Sequence, residues 1–212
     1  MKTPTGLSSD ETQVAAFTTD SHETTSRVFL PADGPAGAAM TWRELTAHAG
    51  VPLTADLRWS VMVRRLDAAL QRELTPPFAV ASPATLRRLV DVLSAATSTP
   101  GRCYFFLWPG YAGDIDDLDP EVIPPHLSAL AGRDHVLHTA PLSWLLERTE
   151  DTLDPRLPVF VWPHDGAFLL ACPLYHDSLY VSGAAALLEA MRSDGLEVLP
   201  IARNIELPGE GD

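Results

Sequence analysis

The stretch LPVFVWPHDGAFLLACPLYHDSLYVSG, Leu157 to Gly183, decides the fold. It holds an apolar run from Pro158 to Trp162, a turn of His164, Asp165 and Gly166, and a second apolar run from Ala167 to Leu174. A third short run, Leu179 to Val181, follows the polar break His176-Asp177-Ser178. Val, Phe, Leu and Tyr suit a pleated, half-buried surface, and Asp-Gly between two apolar runs signals a hairpin. The stretch therefore predicts sheet core.

Upstream, Cys103 to Trp108 reads CYFFLW, a continuous apolar run expected to form a central strand covered on both faces. Before it, Ser82-Pro83 offers an N-cap followed by proline at the first helical position. Leu86, Leu89, Val90, Leu93 and Ala96 then recur at helical spacing, and Pro100-Gly101 closes the helix. Thr41 with Glu44 forms a capping box for a helix that Gly50 ends. Residues 57–74 fit two templates. Leu57, Trp59, Val61 and Val63 alternate as a strand would, while Trp59, Met62, Val63, Leu66 and Leu70 share a helical face that Asp56 would cap. Downstream, His135 to His138 suggests a short strand, and Pro141 opens an amphipathic helix carrying Leu142, Leu145 and Leu146. Ser182 precedes a helix over Ala184 to Arg192 that Gly195 stops, and Leu196 to Ile201 reads as a last strand. Strands come late and close together, with helices before and between them. The expected class is α+β: a single domain whose mixed or mostly antiparallel sheet is backed by helices.

The domain is expected to span residues 27–203. Residues 1–26 are rich in Ser, Thr, Asp and Glu and read as a mobile tail; 204–212 read as a loose C-terminal tail. MKTPTGLSSDETQ has no apolar core of the kind a secretory leader needs, and no run of uncharged apolar residues is long enough to cross a membrane. Both point to a cytoplasmic protein. The arginine-rich, lysine-poor basic set, with abundant Ala and Pro, fits a high-GC genome. Asp and Glu number 28 against 15 Lys and Arg, a formal charge of -13. Such a field repels phosphate backbones and favours a basic protein partner over nucleic acid.

Cys103 and Cys172 lie inside apolar runs and are expected to be buried thiols; a disulfide requires their strands to be neighbours. The pairs His164-Asp165 and His176-Asp177-Ser178 suggest a Ser/His/Asp relay. Neighbours along an extended chain point to opposite faces, however, and no G-x-S-x-G elbow presents a serine. His135 and His138 on a strand face opposite ways, and no zinc spacing is present, so no metal is expected. The run Asp114, Asp116, Asp117, Asp119 and Glu121 lacks the glycine and closing glutamate of a calcium loop. It reads as a solvated, partner-facing acidic loop. No phosphate-binding glycine loop occurs, and no cofactor is expected. Aromatic and polar groups at strand ends form the one candidate ligand groove: Trp108, Tyr111, Trp162, His164 and Tyr180, with Asp165 and His176 beside them. The competing account of these residues is ordinary capping of the core by tryptophan.

The segments FFLWPGY (105–111) and VFVWPHDGAFLLACPLYHDSLYVSGAAALLEAM (159–191) resemble a group of uncharacterised actinobacterial proteins. The shared features are a Cys-aromatic segment ending Trp-x-Gly-Tyr and a Trp-Pro-x-Asp-x-Ala strand leading to Tyr-Val-x-Gly. Here they fall on Cys103, Trp108, Gly110 and Tyr111, then Trp162, Pro163, Asp165 and Ala167, then Ser178, Tyr180, Val181 and Gly183. The resemblance covers roughly Ser82 to Ile201 and implies neither an activity nor catalytic residues. The expected function is non-catalytic: binding, in an accessory or immunity-like role. The alternative is a small hydrolase or ligand-binding enzyme using the His, Asp and Ser groups near the central hairpin.

Overall fold

The computed structural model describes residues 3–10, 12–77, 81–108, 135–151 (the backbone alone for 148–151), 157–173 and 176–207. A 3₁₀ turn, Val14–Ala16, precedes strand β1, Thr24–Phe29. Two short strands follow, β2 (Ala32–Asp33) and β3 (Ala39–Met40), then helices α1 (Trp42–Ala49), α2 (Trp59–Val63), α3 (Ala68–Glu73) and α4 (Pro83–Ala95). Strands β4 (Cys103–Leu107) and β5 (Val136–Ala140) lead to helix α5 (Trp144–Asp151). The hairpin strands β6 (Phe160–Pro163) and β7 (Leu169–Ala171) come next, then β8 (Ser178–Gly183), helix α6 (Ala185–Ser193) and β9 (Val198–Pro200).

Seven strands form one sheet in the order β5-β4-β6-β7-β8-β1-β9, every neighbouring pair antiparallel. The class is α+β. Side-chain alternation with period two explains how one sheet feeds two cores. Cys103, Phe105, Val161, Leu170, Leu179 and Val181 point to one face and pack on α4, α5 and α6. There Leu86, Leu89, Val90 and Leu93 make the buried side of α4, whose first turn is capped by Ser82 accepting from the Thr85 N–H at 3.2 Å. Tyr104, Phe106, Phe160, Trp162, Leu169 and Tyr180 point to the other face. Strand β4 is buried along its whole length because both faces are covered, although it stands one place from the sheet edge. A third cluster at the β1 end joins Phe29 to Trp42 of α1 and to Trp59 and Met62 of α2.

The second face is covered by residues 14–17 and 201–207, which corrects the tail assignments for the described residues; 1, 2, 11 and 208–212 lie outside them. Val14 and Phe17 are buried against it, and the Phe17 ring stacks on Phe160 at 6.0 Å. The Val14 N–H donates to the Ile205 carbonyl and the Ala15 N–H to the Arg203 carbonyl, both at 2.9 Å. Leu207 in turn donates to the Thr12 carbonyl at 2.7 Å and is buried. The strand β1 begins at Thr24, before the expected domain start. Averaged composition hides such a segment: a few apolar side chains suffice when each lands on an apolar sheet face and the backbone finds partners.

Three local expectations also resolve. Residues 57–74 hold two short helices and no strand: α2 starts after Arg58 with no side-chain cap, so Asp56 does not cap it, and Asp67 caps α3 by accepting from Ala69 and Leu70. Ser182 lies within β8 and accepts from the Thr19 N–H at 3.2 Å; the start of α6 is capped instead by the Glu23 carboxylate, 3.0 Å from the Ala185 N–H. Thr41 and Glu44 do form a reciprocal capping box, and Gly50 ends α1 at φ 65°.

Candidate functional site

The β6–β7 turn is built on Asp165. Gly166 takes φ +70°, and its N–H donates to the Pro163 carbonyl at 2.9 Å. The Asp165 carboxylate accepts from the Thr97 hydroxyl at 2.8 Å, from Ser98 through both its N–H (2.8 Å) and hydroxyl (2.7 Å), and from the Ala167 N–H at 3.0 Å. Burial pushes this carboxyl up, but the hydrogen bonds from Ser98, Thr97 and Ala167 outweigh it and hold the pKa down at about 2. Asp165 therefore ties the hairpin to the loop after α4 and does not face the aromatic rim.

His164 does face that rim. Its Nδ1 lies 2.8 Å from the Tyr104 hydroxyl, and the Tyr104 ring stacks on Trp162 at 5.6 Å with 28° between planes. Partial burial lowers the His164 pKa, with the positive charge of Arg102 acting the same way and Asp165 opposing. Trp162 is 1% exposed, and its indole N–H has no hydrogen-bond partner among the described residues. It lines a cavity of about 440 Å³ together with His22, whose Nε2 sits 2.9 Å from the Gly166 carbonyl. Of the expected groove, then, Trp162 and His164 come together, joined by Tyr104. Trp108 and Tyr180 belong to the same sheet face; Trp108 is partly buried there and Tyr180 fully, its phenol pushed up in pKa by burial and only partly drawn back by Arg27. Tyr111 and the acidic run Asp114, Asp116, Asp117, Asp119 and Glu121 lie outside the described residues.

The His176-Asp177-Ser178 segment serves a different centre. Arg27, 1% exposed, donates from Nε to the Ser178 hydroxyl (2.8 Å) and from Nη2 to Asp177 (2.9 Å). Its Nη1 reaches the carbonyls of Ala55 and Leu57, at 2.9 and 2.7 Å. The guanidinium lies over Phe29 at 4.4 Å and Trp42 at 5.2 Å. Ser178 donates its own hydrogen to Asp177 at 2.7 Å. This is a buried polar clamp between the strands and the α1–α2 cluster. Its serine hydroxyl is occupied by an arginine and an aspartate rather than by an imidazole. The His176 ring stands 6.3 Å from Phe17, under the N-terminal segment.

Cys103 and Cys172 are both buried and not joined in a disulfide, and burial pushes each thiol up to about 12. At that value neither is a thiolate near neutrality. Among the described residues no three His, Cys, Asp or Glu side chains are grouped to hold a metal ion, and His135 and His138 do face opposite ways, against Phe106 and Phe105. No described helix is long and apolar enough to cross a membrane.

Sequence reasoning missed Tyr104, Arg27 and His22. Arg27 carried a usable signal, since a lone arginine in the run R-V-F-L is costly to bury without a partner. Tyr104 and His22 carried none, because their partners depend on strand register and on how the N-terminal segment docks. Comparison with protein-family models, with curated proteins and with solved structures finds no match to this chain.

Proposed function

We propose that the chain is a cytoplasmic protein, of the actinobacterial group it resembles, that works by binding a basic protein partner in an accessory or immunity-like role. The observation that carries this reading is charge. The sequence holds 28 acidic against 15 basic residues. Of the basic ones, Arg27, Arg43, Arg58, Arg192 and Arg203 are engaged in ion pairs within the fold. Each of these pairs also uses one carboxylate, so the formal charge of -13 is left unchanged by them and the excess over basic residues is acidic. Electrostatic fields of that kind raise association rates with oppositely charged partners. Ser178, Cys103 and Cys172, the nucleophiles a hydrolase would draw on, are committed to the clamp or to the core, which favours binding over catalysis.

In this reading Asp114, Asp116, Asp117, Asp119 and Glu121 supply the steering charge. The test starts with capture of the partner from the native host at low salt. Association kinetics are then measured against salt for the wild type and for the Asp114→Asn, Asp116→Asn, Asp117→Asn, Asp119→Asn quadruple variant, with circular dichroism as the folding control. The variant is expected to associate more slowly and with a shallower salt slope, since exposed charges are screened over about 10 Å at 0.1 M salt. Equal rates and equal slopes would remove the loop from the interaction. A captured partner of acidic character would remove the reading itself.

A further inference from the structure

We infer that the segment from Thr3 to His22 is a strap that lifts off the sheet as a unit while the sheet itself stays folded, with Arg203 as its latch. The strap lies against the second sheet face but takes no part in the ladder. Among the described residues none of its backbone groups is hydrogen-bonded to a strand of the seven-stranded sheet, and its one β-bridge joins Gln13 to Glu206. Three backbone bonds tie it down: the Val14 and Ala15 N–H groups donate to the Ile205 and Arg203 carbonyls, and Thr12 accepts from Leu207. Its other backbone bonds close on the strap itself. Its buried apolar side chains are Val14, Ala16 and Phe17, so apolar anchorage is confined to one short stretch. Segments held by few buried contacts open at lower free energy than the core around them.

Arg203 supplies much of the remaining hold. Its Nε donates to the Thr18 hydroxyl at 3.3 Å, its Nη2 to the carbonyls of Thr18 (3.1 Å) and Gly6, and its Nη1 stands 3.8 Å from the Asp20 carboxylate. One side chain thus gathers both ends of the strap. The seam further along is loosely made. A cavity of about 440 Å³ lies between Thr3, Pro4, Thr5 and His22 of the strap and Gly166 of the β6–β7 turn, so atoms on either side lack the dispersion contacts of a packed interface. His22 reaches the turn through Nε2, 2.9 Å from the Gly166 carbonyl, but its Nδ1 is buried with no partner among the described residues. An idle buried nitrogen costs free energy, and hydration removes that cost once the strap lifts. Lifting breaks the Phe17–Phe160 stack and opens the Phe160 side of the sheet to water without parting any pair of sheet strands.

The test is native-state amide hydrogen exchange on ¹⁵N-labelled full-length protein, in urea below the unfolding transition. The Val14 and Ala15 amides are compared with the slowest amides of β4 and β8. After correction for intrinsic rates, Val14 and Ala15 are expected to exchange at least about a hundredfold faster, through a sub-global opening. Their rates should change little with urea, because lifting the strap exposes far less surface than unfolding does. Val90→Ala, in α4 on the opposite sheet face, should speed exchange in β4 and β8 and leave Val14 and Ala15 where they were. Arg203→Met should speed Val14 and Ala15 at least about tenfold, the loss of one charge-assisted hydrogen bond or more. Val14 and Ala15 exchanging at the rate and with the urea slope of β4, or in step with β4 in Val90→Ala, overturns the inference. Unchanged Val14 and Ala15 rates in Arg203→Met overturn the latch. If Val90→Ala does not fold, the wild-type urea series decides.

Discussion

Replacing Asp165 by alanine should loosen the central hairpin by a predictable amount and with a predictable pH dependence. The substitution removes one carboxylate that accepts from Thr97, Ser98 and Ala167. The carboxyl descends from an ordinary 3.8 to about 2 in the fold. At about 1.36 kcal/mol per pH unit this corresponds to about 2 kcal/mol. The group is partly solvent-exposed, and screening brings the expected loss to about 1–2 kcal/mol. For a chain of this size that is a fall of about 2–8 °C in melting temperature. Because the folded-state value is the lower one, the stabilisation is fully present above the unfolded value near 3.8 and disappears as the pH falls through about 2. Urea denaturation of wild type and Asp165→Ala should therefore give a constant gap between pH 5 and 8 that narrows from pH 4 towards pH 2. A gap unchanged at pH 2.5 would show that the ionised carboxylate is not what holds the turn.

Phe17→Ala should cost about 3–5 kcal/mol, measured by urea denaturation, because the ring is buried on Phe160; wild-type stability would return the first residues to the status of a loose tail. Phe106→Ala should cost a similar amount, about 3–5 kcal/mol, since β4 is covered on both faces. A denaturation midpoint like the wild type's would refute that assignment. Arg27→Met should cost about 3–5 kcal/mol by leaving Asp177 buried without its counter-charge, its Oδ2 already lacking a partner among the described residues. The double variant Arg27→Met with Asp177→Leu should recover much of that loss in a double-mutant cycle; strictly additive losses would mean that the pair is not coupled.

How much of this was legible follows from the range over which each interaction acts. The Ser82 cap, the Thr41–Glu44 box and the Asp165-Gly166 turn are written within a few residues, and all three are present in the structure. The alternation in β4 was hidden by a run apolar on both faces, which told of burial but not of which side each ring takes. The site is long-range. Tyr104 meets His164 across 60 residues, and Arg27 meets Asp177 across 150. Both contacts depend on strand order, on which single-chain periodicity is silent. The N-terminal segment misled for a related reason: its low apolar content argued for disorder, whereas its few apolar residues are placed where the sheet needs them. The strand alternative for 57–74 lost to packing, because Trp59 and Met62 reach Trp42 only from a helical turn.

The position of β1 bears on how the protein is made. This early strand is hydrogen-bonded on one side to β8 and on the other to β9, the last two strands among the described residues. Ser178, its contact in the clamp, is synthesised 151 residues after Arg27. At about 5–20 residues per second, β1 waits about 8–30 seconds on the ribosome with both edges unpaired. Until then Arg27 is a solvated cation on a short strand, and water keeps it from pairing prematurely with apolar neighbours. Only when Asp177 and Ser178 emerge does burying that charge become favourable. The clamp thus ties closure of the sheet to the arrival of Asp177 and Ser178, 150 and 151 residues after Arg27.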